Sequence, residues 1–409
     1  MNNQLLEKYA NLIIKVGVNL QKGQCLIIKG EHTHWEFVNL LQQVAYKNGA
    51  KYIHTDLQAP FSKLNQNKFQ HEEFLNFIPK FIDSQIAEYV EDRWSIIHLD
   101  GKADPNCFES LNQEKNAIIE KVIREHGKRF SCAALSGKCC WTIAPLPTPG
   151  WAQKVLGGKA SEENKNALWE ILIPILKLDK SDPVKAWQDH SDRLKERISI
   201  LDQSDIDYLH FTGPGTDLKI YLSQYSRWQG GAFTSPEGNP FMPNIPTEEI
   251  FSTPDFRKTE GRIKVTKPVN VLGKDVVDAY FEFKNGQVNK FSASIGEDTL
   301  AKYFEIDPTA KYLGEVALVD TSSPIYMADK IFHSILLDEN ASCHIALGRG
   351  ISTAIIGGDK MSEEELKNVG HNNSLLHTDF MVGSSEVSVT GVLHDGQKLR
   401  IISNGLFNI

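Results

Sequence analysis

The sequence predicts an α/β N-terminal domain with an open, mainly parallel sheet, followed by a mainly β (α+β) C-terminal domain. Before residue 200, short apolar runs alternate with stretches that are apolar at helical spacing, the pattern of strands covered on both faces by helices. From Asp207 onward the apolar residues recur at every second position between turn residues, as in half-buried antiparallel strands. A boundary near residue 200 follows, giving domains over 1–200 and 201–409.

In order, Leu5, Tyr9, Leu12, Ile13 and Val16 mark one side of a first helix, and Gly23 ends the turn after it. Cys25-Leu26-Ile27-Ile28 reads as a strand. Trp35, Phe37, Val38, Leu41, Val44 and Ala45 form the apolar side of a helix closed by Asn48-Gly49. Strands are expected over 52–57, 95–99 and 141–144, with helical patterns around 74–91 and 108–126. Pro145-Leu146-Pro147-Thr148-Pro149-Gly150 breaks regular structure. Helices over 161–178 and 182–200 follow.

Tyr208 to Phe211, the turn Gly213-Pro214-Gly215 and Leu218 to Leu222 read as a hairpin. Further strands are expected over 262–265, 277–283, 288–294, 317–319 and 399–402, with helices around 300–304 and 362–369.

The 409 residues suffice for two cores. A formal charge of -8 with no basic stripe argues against nucleic acid or an anionic membrane as main partner. The six cysteines show neither Cys-x-x-Cys nor a disulfide framework, which points to a reducing compartment. Glu7, Lys8 and Lys15 interrupt the first apolar stretch, unlike a signal peptide. No apolar run approaches the roughly 20 residues of a membrane span, so a cytoplasmic location is expected.

Chemistry gathers in the C-terminal half. Asp338-Glu339-Asn340-Ala341-Ser342-Cys343-His344-Ile345-Ala346-Leu347-Gly348 places a carboxylate and an imidazole around a buried-strand pattern, which is how a fold brings ligands to the edge of a core. Thr247-Glu248-Glu249 follows a proline-rich entry, and reads equally as a solvated helix cap. Gly314-Glu315 precedes an apolar run, and alone is an exposed acid. A lone histidine such as His344 is more often a hydrogen-bonded core residue than a ligand, and Glu339 nearby raises its standing. In His377-Thr378-Asp379 a strand would turn His377 and Asp379 to the same side. His32, His34, His71 and His394 have no acid at ligand spacing and read as surface or structural.

These acids and two imidazoles exceed what one four-coordinate zinc needs and match two metals sharing a carboxylate. Amide hydrolysis needs a nucleophile stronger than free water, and a metal supplies it by lowering the pKa of bound water toward about 7. A second metal can share that hydroxide and stabilise the oxyanion. Carboxylates with imidazoles suit zinc, cobalt or manganese, and Cys343 would face the opposite side of the strand.

The chain closely resembles the thermophilic-type metallo-aminopeptidases, the family of aminopeptidases T and S and of PepS. Its specific stretches are Gly213-Pro214-Gly215-Thr216-Asp217-Leu218, 243–249, Gly314-Glu315, 338–348 and His377-Thr378-Asp379-Phe380-Met381-Val382-Gly383. The resemblance implies release of N-terminal amino acids from peptides by two divalent metal ions per subunit, zinc first, in a homodimer. It places metal ligands at Glu249, Glu315, Glu339, His344, His377 and Asp379, with Glu315 bridging. Glu248 is the candidate general base, because other dinuclear aminopeptidases place the base next to a ligand glutamate.

Two departures stand out. Ile351 occupies the place of a family tyrosine close to the metals, and Ser388-Val389-Thr390 stands where relatives often carry acids. A phenol at the first position could donate to the oxyanion, and loss of such a donor costs about two to three orders of magnitude in rate. An active enzyme of altered rate or specificity is therefore expected. The alternative is a catalytically impaired descendant that keeps metal and dimer for a structural or peptide-binding role. A nucleotide-dependent oxidoreductase is disfavoured, since no Gly-x-Gly-x-x-Gly follows a strand.

Overall fold

The computed structural model describes residues 2–409. They form two compact units, one reaching Asp189 and including Ala232–Pro246, the other made of His190–Gly231 and Thr247–Ile409.

In the first unit, helix α1 (Asn3–Leu12) continues into a π-helical turn over Ile13–Gly17 and buries Tyr9, Leu12, Ile13 and Ile14. The strands are β1 (Cys25–Glu31), β2 (Tyr52–Gln58), β3 (Ser95–Asp100) and β4 (Trp141–Pro145), all parallel in the order β2-β1-β3-β4. The apolar runs thus became parallel strands as expected. Helices α2 (Trp35–Lys47), α3 (Pro60–Phe69), α4 (Lys80–Glu91) and α5 (Gln113–Leu135) connect them. Helix α3 was not foreseen, because its sequence lacks a buried apolar stripe: Phe61 and Phe69 are both exposed.

Pro149-Gly150, expected within a break, instead opens α6 (Pro149–Leu156). Thr148 accepts the N–H of Trp151 as cap, and Pro149 takes the first-turn position where its missing N–H costs nothing. Helices α7 (Glu162–Ile175) and α8 (Pro183–Gln203) follow. The return segment belongs here because Ile143 N–H donates to Pro243 O and Ile245 N–H donates to Ile143 O, extending the β4 edge.

The second unit contains two large antiparallel sheets and a two-stranded one formed by Val269–Val271 and Lys274–Val276. The eight-stranded sheet is centred on the expected hairpin β5 (Ile206–Gly213) and β6 (Thr216–Tyr221). The five-stranded sheet runs in the order His377–Met381, His344–Gly348, Leu313–Leu318, Ile250–Ser252 and β7 (Gln229–Gly230). The two meet through one apolar core that includes Phe211, Phe281, Val316, Ile345, Leu347 and Phe380, with Phe281 and Phe380 edge to face at 5.1 Å. Helix α9 (Glu297–Ile306) buries Leu300, Tyr303 and Phe304 in that core.

Candidate metal centre

The site is built by the two-residue period of the five-stranded sheet. Val316, Ile345, Leu347 and Phe380 point into the core, so the residues between them must share the other face. Register does the rest. Glu315 lies opposite Ala346 and Ala346 opposite Asp379; His344 lies between Ala317 and Met381; Gly348 lies opposite His377. Phe251 pairs with Ala317, so Glu249, two residues earlier, is directed to the same face. Ala317, Ala346 and Gly348 therefore make a floor of small residues, and long side chains on the flanking strands can meet above it.

They do meet. Ligand atoms of Glu249, Glu315 and His344 lie within 4.8 Å of one another, as do those of Glu315, His377 and Asp379. His344 Nε2 is 3.5 Å from Glu249 Oε2 and 3.9 Å from Glu315 Oε1. His377 Nε2 is 3.5 Å from Glu315 Oε2 and 3.3 Å from Asp379 Oδ1. The outer ring nitrogens are held from behind: His344 Nδ1 lies 3.3 Å from Ser342 O, and His377 Nδ1 lies 2.7 Å from Arg349 O. Bonds of this kind fix tautomer and ring direction and leave Nε2 facing inward.

Charge is crowded here. Burial, with Asp379 next, holds the Glu315 carboxyl well above the usual range. Burial also raises Glu339, reinforced by Glu249, Asp379 and Glu315. Glu249 rises through burial despite His344 beside it. Burial works against a charged His377, but Asp379 and Glu315 hold it up to about 10. Asp379 is lowered, because His377 outweighs its burial.

Of the residues expected from the sequence, five are within the two triads. Glu339, on a short 3-10 turn over Glu339–Ala341, is outside both, yet close enough to feel the charges of Glu249, Asp379 and Glu315. Glu248 diverges from its neighbour: its carboxylate Oε2 is 3.5 Å from His190 Nε2, and both residues are buried. His190, on the charged helix α8, carried no spacing signal. Asn340 was visible only as the residue after Glu339; its side chain accepts the N–H of Glu248 at 2.7 Å. The divergence of Glu248 from Glu249 is the period-two alternation that neighbours leading into a strand are expected to show.

The donor set fits divalent metal. Three carboxylates, those of Glu249, Glu315 and Asp379, meet two imidazoles, Glu339 is near enough to feel three of the acids, and buried Asp379 Oδ1 makes no hydrogen bond despite the nearness of His377. Oxygen and imidazole ligands of this kind are those of zinc, cobalt or manganese centres. Cys343 is excluded from the set, since its Sγ is turned to Val319 on the core side.

Fold and site together define a metalloprotease. Residues 2–407 match the family described as thermophilic metalloprotease (M29), and the chain belongs to that family. Its relatives include Aminopeptidase 2 of Geobacillus stearothermophilus, 36% identical over 98% of this chain and 97% of the relative. Aminopeptidase PepS of Streptococcus thermophilus is 34% identical over 98% and 97%. The solved structure of wild-type AmpT from Thermus thermophilus superposes with a TM-score of 0.91 at 33% identity, covering 99% of both chains. The family and fold expected from the sequence are both borne out.

Proposed function

We propose that this protein is a metallo-aminopeptidase that releases N-terminal amino acids from short peptides. In this reading Glu249, Glu315, Glu339, His344, His377 and Asp379 hold two divalent cations per subunit. The observation that carries it is Glu315, the one side chain common to both triads. Charge supports the same count: two divalent cations balance the four carboxylates, whereas one leaves a buried excess of negative charge. When bound, the cations supply Lewis acidity and a lowered water pKa.

The chain's own groups do the rest. Ser342 O and Arg349 O keep the two imidazoles aimed inward. The floor of Ala317, Ala346 and Gly348 leaves room above the sheet for the reacting amide. Glu248 is proposed as general base only from its adjacency in sequence to Glu249; its carboxylate turns to His190 Nε2 at 3.5 Å. A cytoplasmic homodimer is the corresponding proposal for state and place; among the described residues no helix is long and apolar enough to cross a membrane.

Metal analysis of purified protein, with amino-acid release from dipeptides and aminoacyl-arylamides, tests the reading. Two equivalents of metal with turnover are expected; no metal above background and no turnover after adding zinc, cobalt or manganese defeats it.

Ile351 favours a second reading, the impaired catalyst. Thr253 Oγ1 donates to Ile351 O at 2.9 Å and receives its N–H at 3.3 Å, so the backbone is held while an aliphatic side chain offers no donor. Ile351→Tyr should raise kcat by about a hundredfold if an oxyanion donor is what is missing. An unchanged kcat at unchanged metal content removes this reading.

A further inference from the structure

We infer that His190 and Asn340 are positioning residues that clamp Thr247-Glu248-Glu249 from two sides and thereby hold the Glu249 carboxylate in the metal centre. The inference rests on the metal centre proposed above and deepens it. Glu249 needs such a hold. Its carboxylate is packed with those of its partners: ligand atoms of Glu249, Glu315 and His344 lie within 4.8 Å of one another, so a small displacement of Glu249 disturbs the whole group. Strand pairing with Leu313–Leu318 begins only at Ile250, so sheet hydrogen bonding does not account for how the residues just before it are fixed.

Two buried side chains do. His190 Nε2–H donates to Thr247 O at 2.9 Å, and the same nitrogen stands 3.5 Å from Glu248 Oε2. From the other side, Asn340 Oδ1 accepts the Glu248 N–H at 2.7 Å, while Asn340 Nδ2 donates to Leu336 O at 3.0 Å. Asn340 is fully buried and follows Glu339 directly. One amide thus ties the backbone beside Glu249 to the backbone beside Glu339, and fixes the spacing of two acids that arrive from distant parts of the chain. Helix α8 supplies the opposing jaw through His190. Outer residues that orient ligands are worth about ten- to a hundredfold in metal affinity or activity.

The test compares zinc affinity by chelator competition, the visible spectrum of the cobalt-loaded protein, and the thermal midpoint of the metal-free protein. His190→Leu and Asn340→Leu should each weaken zinc binding by about ten- to a hundredfold and shift the cobalt bands. His190→Gln, whose amide nitrogen reaches the Nε2 position, should recover to within about threefold. Because both residues hold one segment, the double variant should lose less than the product of the single losses. Where His190→Leu does not fold, His190→Asn, polar but too short to reach Thr247 O, should show the same loss. Unchanged affinity and an unchanged cobalt spectrum in His190→Leu or His190→Asn overturn the clamp while leaving the metal centre standing. A wild-type protein that binds no metal overturns both.

Discussion

Two buried polar regions of this molecule invite comparison: the carboxyl edge of the parallel sheet, around His34, and the metal face of the five-stranded sheet, around His344 and His377. In the sheet order β2-β1-β3-β4 the chain leaves β1 for one side and later returns to the other, so the crevice beyond β1 and β3 is a topological switch point, where open α/β sheets bind ligands. Here His34 is buried. Its Nε2 is 2.8 Å from Gly101 O, its Nδ1 accepts the Glu31 N–H at 3.2 Å, and Glu31 Oε2 accepts the Ala103 N–H at 2.8 Å. The packing is tight enough that a Cβ on Gly30 would lie 2.7 Å from His34 Nδ1.

Both regions bury imidazole beside carboxylate, and their electrostatics run in opposite directions. Burial drives His34 down to about 4, a neutral ring that is fully hydrogen-bonded. At the metal face His377 is held up to about 10 by surplus acids, and Asp379 Oδ1 has no hydrogen bond. A polar cluster that closes its own bonds is architecture, whereas one left with excess charge needs something brought to it.

The sharpest way to break the comparison is to remove the shared carboxylate. Glu315→Gln should reduce turnover by at least about a thousandfold, since nucleophile generation and oxyanion stabilisation go together. Metal content measured by mass spectrometry should fall below two equivalents. Full occupancy with full activity would make Glu315 no more than a buried acid.

The His34 side of the comparison is tested by pH. Its pKa is lowered on folding, from an ordinary value near 6.5 to about 4, so the unfolded chain binds the extra proton and stability falls as pH drops through that window. The loss integrates to about 3 kcal/mol between pH 6.5 and 4. Urea titrations across this range should show that slope in the wild type, and His34→Gln should flatten it by about that amount. An undiminished slope would mean that His34 is not the group being protonated.

How much of this was legible in the sequence differs between the regions. The apolar run after His344 read as a buried strand, and His377-x-Asp379 would put two candidate ligands on one face if it lay on a strand, as it does. Resemblance joined Glu249, Glu315 and Glu339 to them. Register was not legible, because nothing local says that Glu315 sits opposite Ala346 and not one residue away. His34 and His344 both looked like lone histidines. Only the count of partners around each ring, a tertiary property, separates structural residue from ligand. Helix α3 escaped because its large residues stay exposed, and α6 because Pro149 reads as a breaker unless the Thr148 cap ahead of it is noticed.

Ala346 offers the finest cut, because it sharpens the comparison without touching a charged group. It is fully buried, lies between Glu315 and Asp379 on neighbouring strands, and its small side chain is what lets those carboxylates share the space above the sheet. Ala346→Val adds two methyl groups on the metal face and leaves the core face of Ile345 and Leu347 untouched. The β-branched side chain suits a strand, and an overpacking cost of about 1–3 kcal/mol should be felt by the register neighbours Glu315 and Asp379. Metal affinity should then drop by about tenfold, from one misplaced ligand pair. The thermal midpoint of the metal-free protein should move by only a few degrees, on the order expected for ~1 kcal/mol in a chain of this size. If affinity is retained while the metal-free protein is strongly destabilised, the alanine is serving the core and not the ligands, and the floor of small residues ceases to be part of the site.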